Sequence, residues 1–205
     1  MRAISIDTPH GAAVVHLHPV DQPRAALVLG HGAGGGIAAR DLVAVSAAAH
    51  EAGLAVALVE QPYRVAGRRA PPRAPTLDAA WIAVVERVRD DEFAGLPLVV
   101  GGRSSGARVA CRTTATTGAV AVLCLAFPLR PPRRAGAPEA PSRLSELDAV
   151  EVPVLVVQGA RDRFGLPPDG PTRSVVVVPG DHALTTDLPA VAAAARAWLV
   201  GLRAL

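Results

Sequence analysis

The segment Gly102-Arg103-Ser104-Ser105-Gly106 sets a serine two residues from a glycine on either side. A serine hydroxyl is a poor nucleophile at neutral pH. It needs a base to take its proton and a carboxylate to hold that base in the right tautomer. Both lie downstream: Asp162 in Gln158-Gly159-Ala160-Arg161-Asp162, and His182 in Pro179-Gly180-Asp181-His182. Ser, Asp, His is one of the chain orders in which such a triad recurs. The residue types predict acyl transfer, with Ser104 attacking, His182 moving the proton and Asp162 orienting His182. Upstream, His31-Gly32-Ala33-Gly34-Gly35-Gly36 is a run whose backbone N–H groups could hold an oxyanion. The expected donors are the N–H of Ser105 and that of either Ala33 or Gly34.

Other residues compete for these roles. Ser105 comes one residue late for the turn. Asp181 adjoins His182, and neighbouring side chains seldom meet at a ring nitrogen. Asp148 precedes the strand after which Asp162 lies, and so belongs to the opposite edge of a sheet. His31 and Arg103 are candidate substrate contacts, although for His31 the favoured reading is a structural residue that braces the glycine run by hydrogen bonding. His16 and His18 share a strand face, but no third ligand is spaced to complete a metal site. The glycine run lacks the Lys-Ser/Thr of a phosphate loop and the G-x-G-x-x-G order of a dinucleotide site. The chemistry therefore calls for no metal and no organic cofactor.

The elements that must position these residues alternate along the chain. Apolar runs at Ala25–Leu29, Leu54–Val59, Leu96–Val100, Ala119–Phe127, Val154–Val157 and Val175–Val178 read as buried strands. Helical patterns fall between them, within Ile37–Ala52, over Leu77–Arg89, after Ser104, near Leu144, and from Leu188, where Asp187 and Pro189 mark a start. Trp81, Val84, Val85 and Val88 recur at helical spacing and are expected in the core. The order predicts an α/β fold, a mostly parallel sheet with helices on both faces, with Ala13–Leu17 added as an edge hairpin strand. Ser104 then falls in a strand-turn-helix context. Two stretches rich in Pro, Arg and Gly, Gln61–Pro75 and Pro128–Pro141, read as irregular loops rimming the site.

With 205 residues, half of them hydrophobic, one domain spanning 1–205 is expected. All 21 basic residues are Arg. A pI near 9.6 follows without any nucleic-acid motif, so no nucleic-acid partner is inferred. Ten arginines (Arg64, Arg68, Arg69, Arg73, Arg103, Arg130, Arg133, Arg134, Arg161 and Arg163) fall on loops at the expected catalytic edge, which suggests a positive rim for anionic substrates. Cys111 and Cys124 lie in apolar segments and form no disulfide framework. No leader or membrane-spanning run is evident, so a cytoplasmic protein that does not bind membranes is expected.

The combination His31-Gly-Ala-Gly-Gly, Gly101-Gly102-Arg103-Ser104, Gly159-x-x-Asp162 and Asp181-His182 resembles the α/β-hydrolase superfamily over nearly the whole chain. More narrowly it looks like a compact group that includes testis-expressed hydrolase-like proteins, the hydrolase-like subunit of the NSL chromatin complex and bacterial dienelactone-hydrolase-like proteins. That resemblance implies a minimal fold without a large cap domain and supplies no established substrate; it is the triad chemistry that points to a small-molecule ester. The resemblance also implies an alternative, since some relatives serve as scaffolds: an interaction module that keeps the fold.

Overall fold

The computed structural model describes residues 2–131 and 140–202. Among these residues eight strands, β1 (Arg2–Thr8), β2 (Gly11–His18), β3 (Ala25–Gly30), β4 (Leu54–Glu60), β5 (Leu98–Arg103), β6 (Ala121–Leu125), β7 (Val154–Gly159) and β8 (Arg173–Val178), form one sheet. Its order is β1-β2-β4-β3-β5-β6-β7-β8. From β4 to β8 all neighbours pair in parallel, and β2 is antiparallel to both β1 and β4.

The helices are α1 (Arg40–Glu51), α2 (Pro62–Val65), α3 (Ala74–Asp91), α4 (Ser105–Thr117), α5 (Leu144–Asp148) and α6 (Leu188–Gly201). Alternate residues of each inner strand face opposite layers, which is why these strands read as unbroken apolar runs. In β3, Ala26 and Val28 join the layer covered by α3, α4 and α5, while Ala25, Leu27 and Leu29 join the layer under α1 and α6. Trp81, Val84, Val85 and Val88 are almost wholly buried in the first layer, as their spacing predicts. The side chain of Asp187 caps α6 by accepting from Ala190 N–H at 3.0 Å.

Three details differ from the sequence reading. Strand β1 was not anticipated, because it is largely exposed and places only Ile6 in the core. It takes the edge, which moves the expected edge strand, β2, inward between β1 and β4. Within Gln61–Pro75 the chain forms the single turn α2, with Pro62 at its start, and α3 begins at Ala74. A proline is compatible with the first turn of a helix because the missing N–H has no intrahelical partner there.

The sheet positions the site through its strand order. The chain winds from β3 outward to β4 and then crosses back to place β5 on the other side of β3. In an open parallel sheet a crevice opens where the order reverses, at the carboxyl ends of the flanking strands. The glycine run leaves β3 and Ser104 leaves β5, the two strands that bound this reversal.

Strand β8 forms the other edge, with Val176 and Val177 exposed. Such an edge invites pairing with another chain. Here the carboxylate of Asp169 folds back and accepts from Val175 N–H at 2.7 Å, and Gly170 N–H donates to Arg173 O at 2.9 Å. We expect Asp169→Ala to cost about 1 kcal/mol and to increase concentration-dependent association, measured by light scattering beside the parent protein. Unchanged scattering at equal folded concentration would show that the Asp169 contact does not guard this edge.

Candidate active site

Ser104 stands between β5 and α4 with φ 52° and ψ −106°. This is the positive-φ region that side chains with a Cβ rarely occupy, so the surroundings must enforce it. Ser104 N–H donates to Leu125 O at 2.8 Å, tying the turn to the end of β6. A Cβ on Gly102 would lie 2.4 Å from Gly30 O, and one on Gly106 would lie 2.4 Å from the same oxygen. The two flanking glycines thus let the turn close against the end of β3. As the first residue of α4, Ser105 carries an N–H that its own helix cannot satisfy, at the positive end of a 13-residue helix.

The structure brings Ser104, His182 and Asp162 into one hydrogen-bonded series. His182 Nε2 lies 2.9 Å from Ser104 Oγ, and His182 Nδ1 lies 2.8 Å from Asp162 Oδ2. The Asp162 side chain is completely buried. Its Oδ2 also accepts from Gln158 Nε2 at 2.9 Å, and its Oδ1 accepts from Phe164 N–H at 2.9 Å. Gln158 is held in turn, since its amide also donates to Phe127 O and Gly165 O. A buried carboxylate with these donors remains a fixed acceptor for the imidazole N–H.

The loops that carry Asp162 and His182 leave neighbouring strands, and the backbone binds them together. Ala160 N–H donates to Val178 O at 2.9 Å and Arg161 N–H donates to Gly180 O at 2.8 Å. A Cβ on Gly159 would meet Asp181 O at 2.3 Å, so only glycine allows this approach. On the exposed side, the Phe164 ring packs on the His182 imidazole with centroids 4.3 Å apart, and the Arg163 guanidinium lies 5.2 Å from the Phe164 centroid. The rejected competitors lie elsewhere. Asp181 accepts from Ala183 N–H, and Asp148 pairs with Arg173 at the far end of β8.

The glycine run is shaped by side chains on two sides. His31 is buried, with Nδ1 2.8 Å from Gly32 O and Nε2 accepting Gln61 N–H at 3.1 Å. The Gln61 contact makes Nε2 the bare nitrogen, so Nδ1–H donates to Gly32 O. Tyr63 Oη donates to Ala33 O at 2.9 Å. Because a trans peptide points its C=O and N–H in opposite directions, the first contact orients Ala33 N–H and the second orients Gly34 N–H.

Of the two candidate substrate contacts, His31 takes the bracing role that the sequence reading favours, and Arg103 is engaged within the protein. His31 uses both ring nitrogens inside the protein, so neither is available to a ligand. Arg103 also uses donors inside the protein. Its Nε donates to Asp41 Oδ2 at 2.9 Å and its Nη2 donates to His182 O at 3.0 Å. Asp41 is buried, which raises the pKa of its carboxyl while the Arg103 charge pulls it back down. Removing either partner would leave the other charge buried, a loss of about 3–5 kcal/mol.

Asp41, Gln158, Tyr63 and Phe164 were not anticipated. For Asp41 a signal existed: it shares the buried stripe of α1 with Leu42, Val45 and Ala49, and a carboxylate on such a stripe requires a partner. His16 Nε2 is 3.4 Å from Glu60 Oε2, and the described residues hold no group of three metal-ligating side chains. Of the ten rim arginines, Arg103 is neutralised by Asp41, while Arg133 and Arg134 lie outside the described residues. Arg68, Arg69 and Arg73 are exposed, as are Arg161 and Arg163. Of the first group, Arg68 lines a cavity of about 320 Å³, together with His10, Ala12, Tyr63, Ala66 and Thr76 among others. Its walls do not include Ser104.

With this geometry in place, comparison with known proteins gives the class. A family profile described as an alpha/beta hydrolase domain matches residues 23–183, and the chain belongs to that family. No curated protein matches the sequence. Among solved structures, Est1E from Butyrivibrio proteoclasticus is similar over 97% of both chains at 19% identity, with a TM-score of 0.77. A Xanthomonas campestris protein, XC6422, described as an α/β serine hydrolase without lid, matches 96% of this chain and 94% of its own at 20% identity and a TM-score of 0.70. A dienelactone hydrolase from Anabaena variabilis matches 97% and 95% at 18% identity, with a TM-score of 0.74. At these identities the likeness is one of fold. It agrees with the α/β-hydrolase family assignment. Among the described residues no helix is long and apolar enough to cross a membrane.

Two measurements check this reading of the local structure. Burial holds the pKa of His31 below 6.5, the Gly32 contact acting in the opposite direction. The unfolded chain then takes up a proton below 6.5 that the folded chain refuses. The stability contribution is complete above that pH and falls as pH drops, at up to about 1.4 kcal/mol per pH unit until the folded value is passed. Denaturant unfolding across this range should show a shallower slope in His31→Asn, and identical slopes would contradict a neutral buried His31. Separately, Gly159→Ala should cost at least about 1–3 kcal/mol through overlap with Asp181 O. Gly34→Ala, whose Cβ would meet nothing within 4 Å, should be near neutral in thermal melts.

Proposed function

We propose that the chain, acting as one catalytic domain, is a serine hydrolase that cleaves an ester or related acyl bond of a small substrate. The observation that carries this reading is the series Asp162–His182–Ser104, with hydrogen bonds of 2.8 and 2.9 Å. Ser104 Oγ attacks the acyl carbon while His182 Nε2 takes the hydroxyl proton. Asp162 holds the opposite ring nitrogen and stabilises the imidazolium that forms. The carbonyl oxygen, now anionic, receives the N–H of Ser105 and that of Ala33 or Gly34. Collapse of the intermediate expels the alcohol, which takes the proton from His182, and leaves the acyl group on Ser104. Water, deprotonated by His182, then releases the acid and restores the serine. Each step uses protein groups and water alone.

The exposed arginines of the loops after β4 and β7 support a preference for substrates bearing a negative charge. The solved Est1E structure with ferulic acid bound shows that a protein of this fold holds a small aromatic carboxylate.

A fluorophosphonate probe tests the nucleophile directly. Wild-type protein should label, and Ser104→Ala and His182→Ala should not. With an ester substrate, Ser104→Ala should lose on the order of a million-fold in turnover. Folded wild-type protein that stays unlabelled would overturn the reading and favour an interaction module. For the arginine rim, matched anionic and neutral esters should differ in kcat/KM at low salt and converge as salt screens the charges. Equal, salt-insensitive values would remove the anionic preference and leave the hydrolase intact.

A further inference from the structure

The residue before the nucleophile carries an inference that rests on the proposed hydrolase reading. The Arg103 side chain meets three site-bearing segments besides its own. Nε donates to Asp41 in the first turn of α1, the helix that follows the glycine run. Nη2 donates to the backbone carbonyl of His182 itself. Nη1 packs against the glycine run, lying 2.9 Å from where a Cβ on Gly32 would sit. The guanidinium is rigid and planar, so fixing Nε on Asp41 also fixes the direction in which Nη2 points. Asp41 is anchored in its turn, with Oδ1 accepting Leu42 N–H at 2.9 Å.

We infer that Arg103 is a positioning residue: clamped by buried Asp41, it holds the main chain of His182 so that the imidazole bridges Ser104 and Asp162. His182 comes from a loop whose described side-chain hydrogen bonds across to the β5–α4 turn are two, Nε2 to Ser104 and the carbonyl to Arg103. The first must break and reform as the proton moves, whereas the second lies outside the reaction. Arg103 is thus the contact that persists while the proton is on the ring. It also ties the base to the glycine run, so proton transfer and oxyanion binding share one reference frame.

Arg103→Lys separates this role from folding. The ammonium keeps the charge that compensates Asp41, but it is a single point and cannot bridge Asp41 Oδ2 and His182 O in the guanidinium's fixed geometry. The expected result is a folded protein whose fluorophosphonate labelling rate falls on the order of a hundredfold, since small displacements of reacting groups have effects of that size. With an ester, the loss should fall on kcat, with KM little changed. In a His182→Ala background the same substitution should cost nothing more, because the residue acts through His182. A proton NMR readout needs no turnover: the hydrogen-bonded Nδ1–H of His182 should resonate far downfield in wild type and broaden or move upfield in Arg103→Lys. Wild-type labelling with an unchanged downfield signal in Arg103→Lys would overturn the inference and leave the hydrolase reading standing. Failure of wild type to label would count against the hydrolase reading, and the NMR comparison would still decide the role of Arg103. Asp41→Asn, which weakens the clamp, should show the same pattern to a smaller degree, and a purely thermal effect without these changes would also refute it.

Discussion

The close approach of three backbone segments at the carboxyl ends of β3 and β5 is the constraint on which the site depends. Gly30 O lies so near Gly102 and Gly106 that neither could carry a Cβ without moving the other chain. That contact lets β5 turn sharply into α4, and the sharp turn forces Ser104 to positive φ. Strain of this kind costs on the order of 1–3 kcal/mol and survives only where the surroundings over-determine it. Here they do: parallel pairing of β5 with β3 and β6 holds one side, and the buried face of α4 holds the other. The orientation of Ser104 is therefore a property of the packed sheet, not of the serine's own preferences.

The same device recurs at the second half of the site. Gly159 ends β7 against the carbonyl of Asp181, which brings the Asp162 and His182 loops into register. Between these two glycine contacts the polar groups are arranged with little freedom. Asp162 accepts from a side-chain amide, a backbone N–H and the imidazole, and so has little reason to rotate away from His182. The Asp41–Arg103 pair does comparable work on the opposite flank. A buried ion pair contributes little net stability, so its value here lies in direction. It converts two charges into a fixed fork between α1 and the His182 loop.

Much of this was legible in the sequence, for reasons that can be stated residue by residue. The unbroken Val and Leu runs announced strands covered on both faces, and the spacing of Trp81, Val84, Val85 and Val88 announced the buried side of α3. Ser104, Asp162 and His182 could be proposed together because each follows a strand, and strand ends are where a parallel sheet displays side chains. What escaped notice lacked a local signature. β1 alternates polar and apolar residues with one buried side chain, and its place at the edge is fixed only by pairing with β2. The partners of Arg103 lie 62 and 79 positions away along the chain. Nothing near Arg103 distinguishes an arginine aimed at a substrate from one aimed at a carboxylate.

That ambiguity is instructive about arginines in general. An Arg-rich loop and a single Arg inside a turn look alike in composition, yet their surroundings assign them opposite tasks. Arg68, Arg69 and Arg73 sit on exposed chain, where a guanidinium keeps its hydration and its field reaches solvent. Arg103 is largely covered, and a covered guanidinium must satisfy its donors within the protein. Burial thus decides whether the charge serves the substrate or the scaffold. In this chain the division follows the fold. The guanidinium groups of Arg68, Arg69 and Arg73 face solvent, while that of Arg103, next to Ser104, spends its donors on Asp41 and the His182 carbonyl.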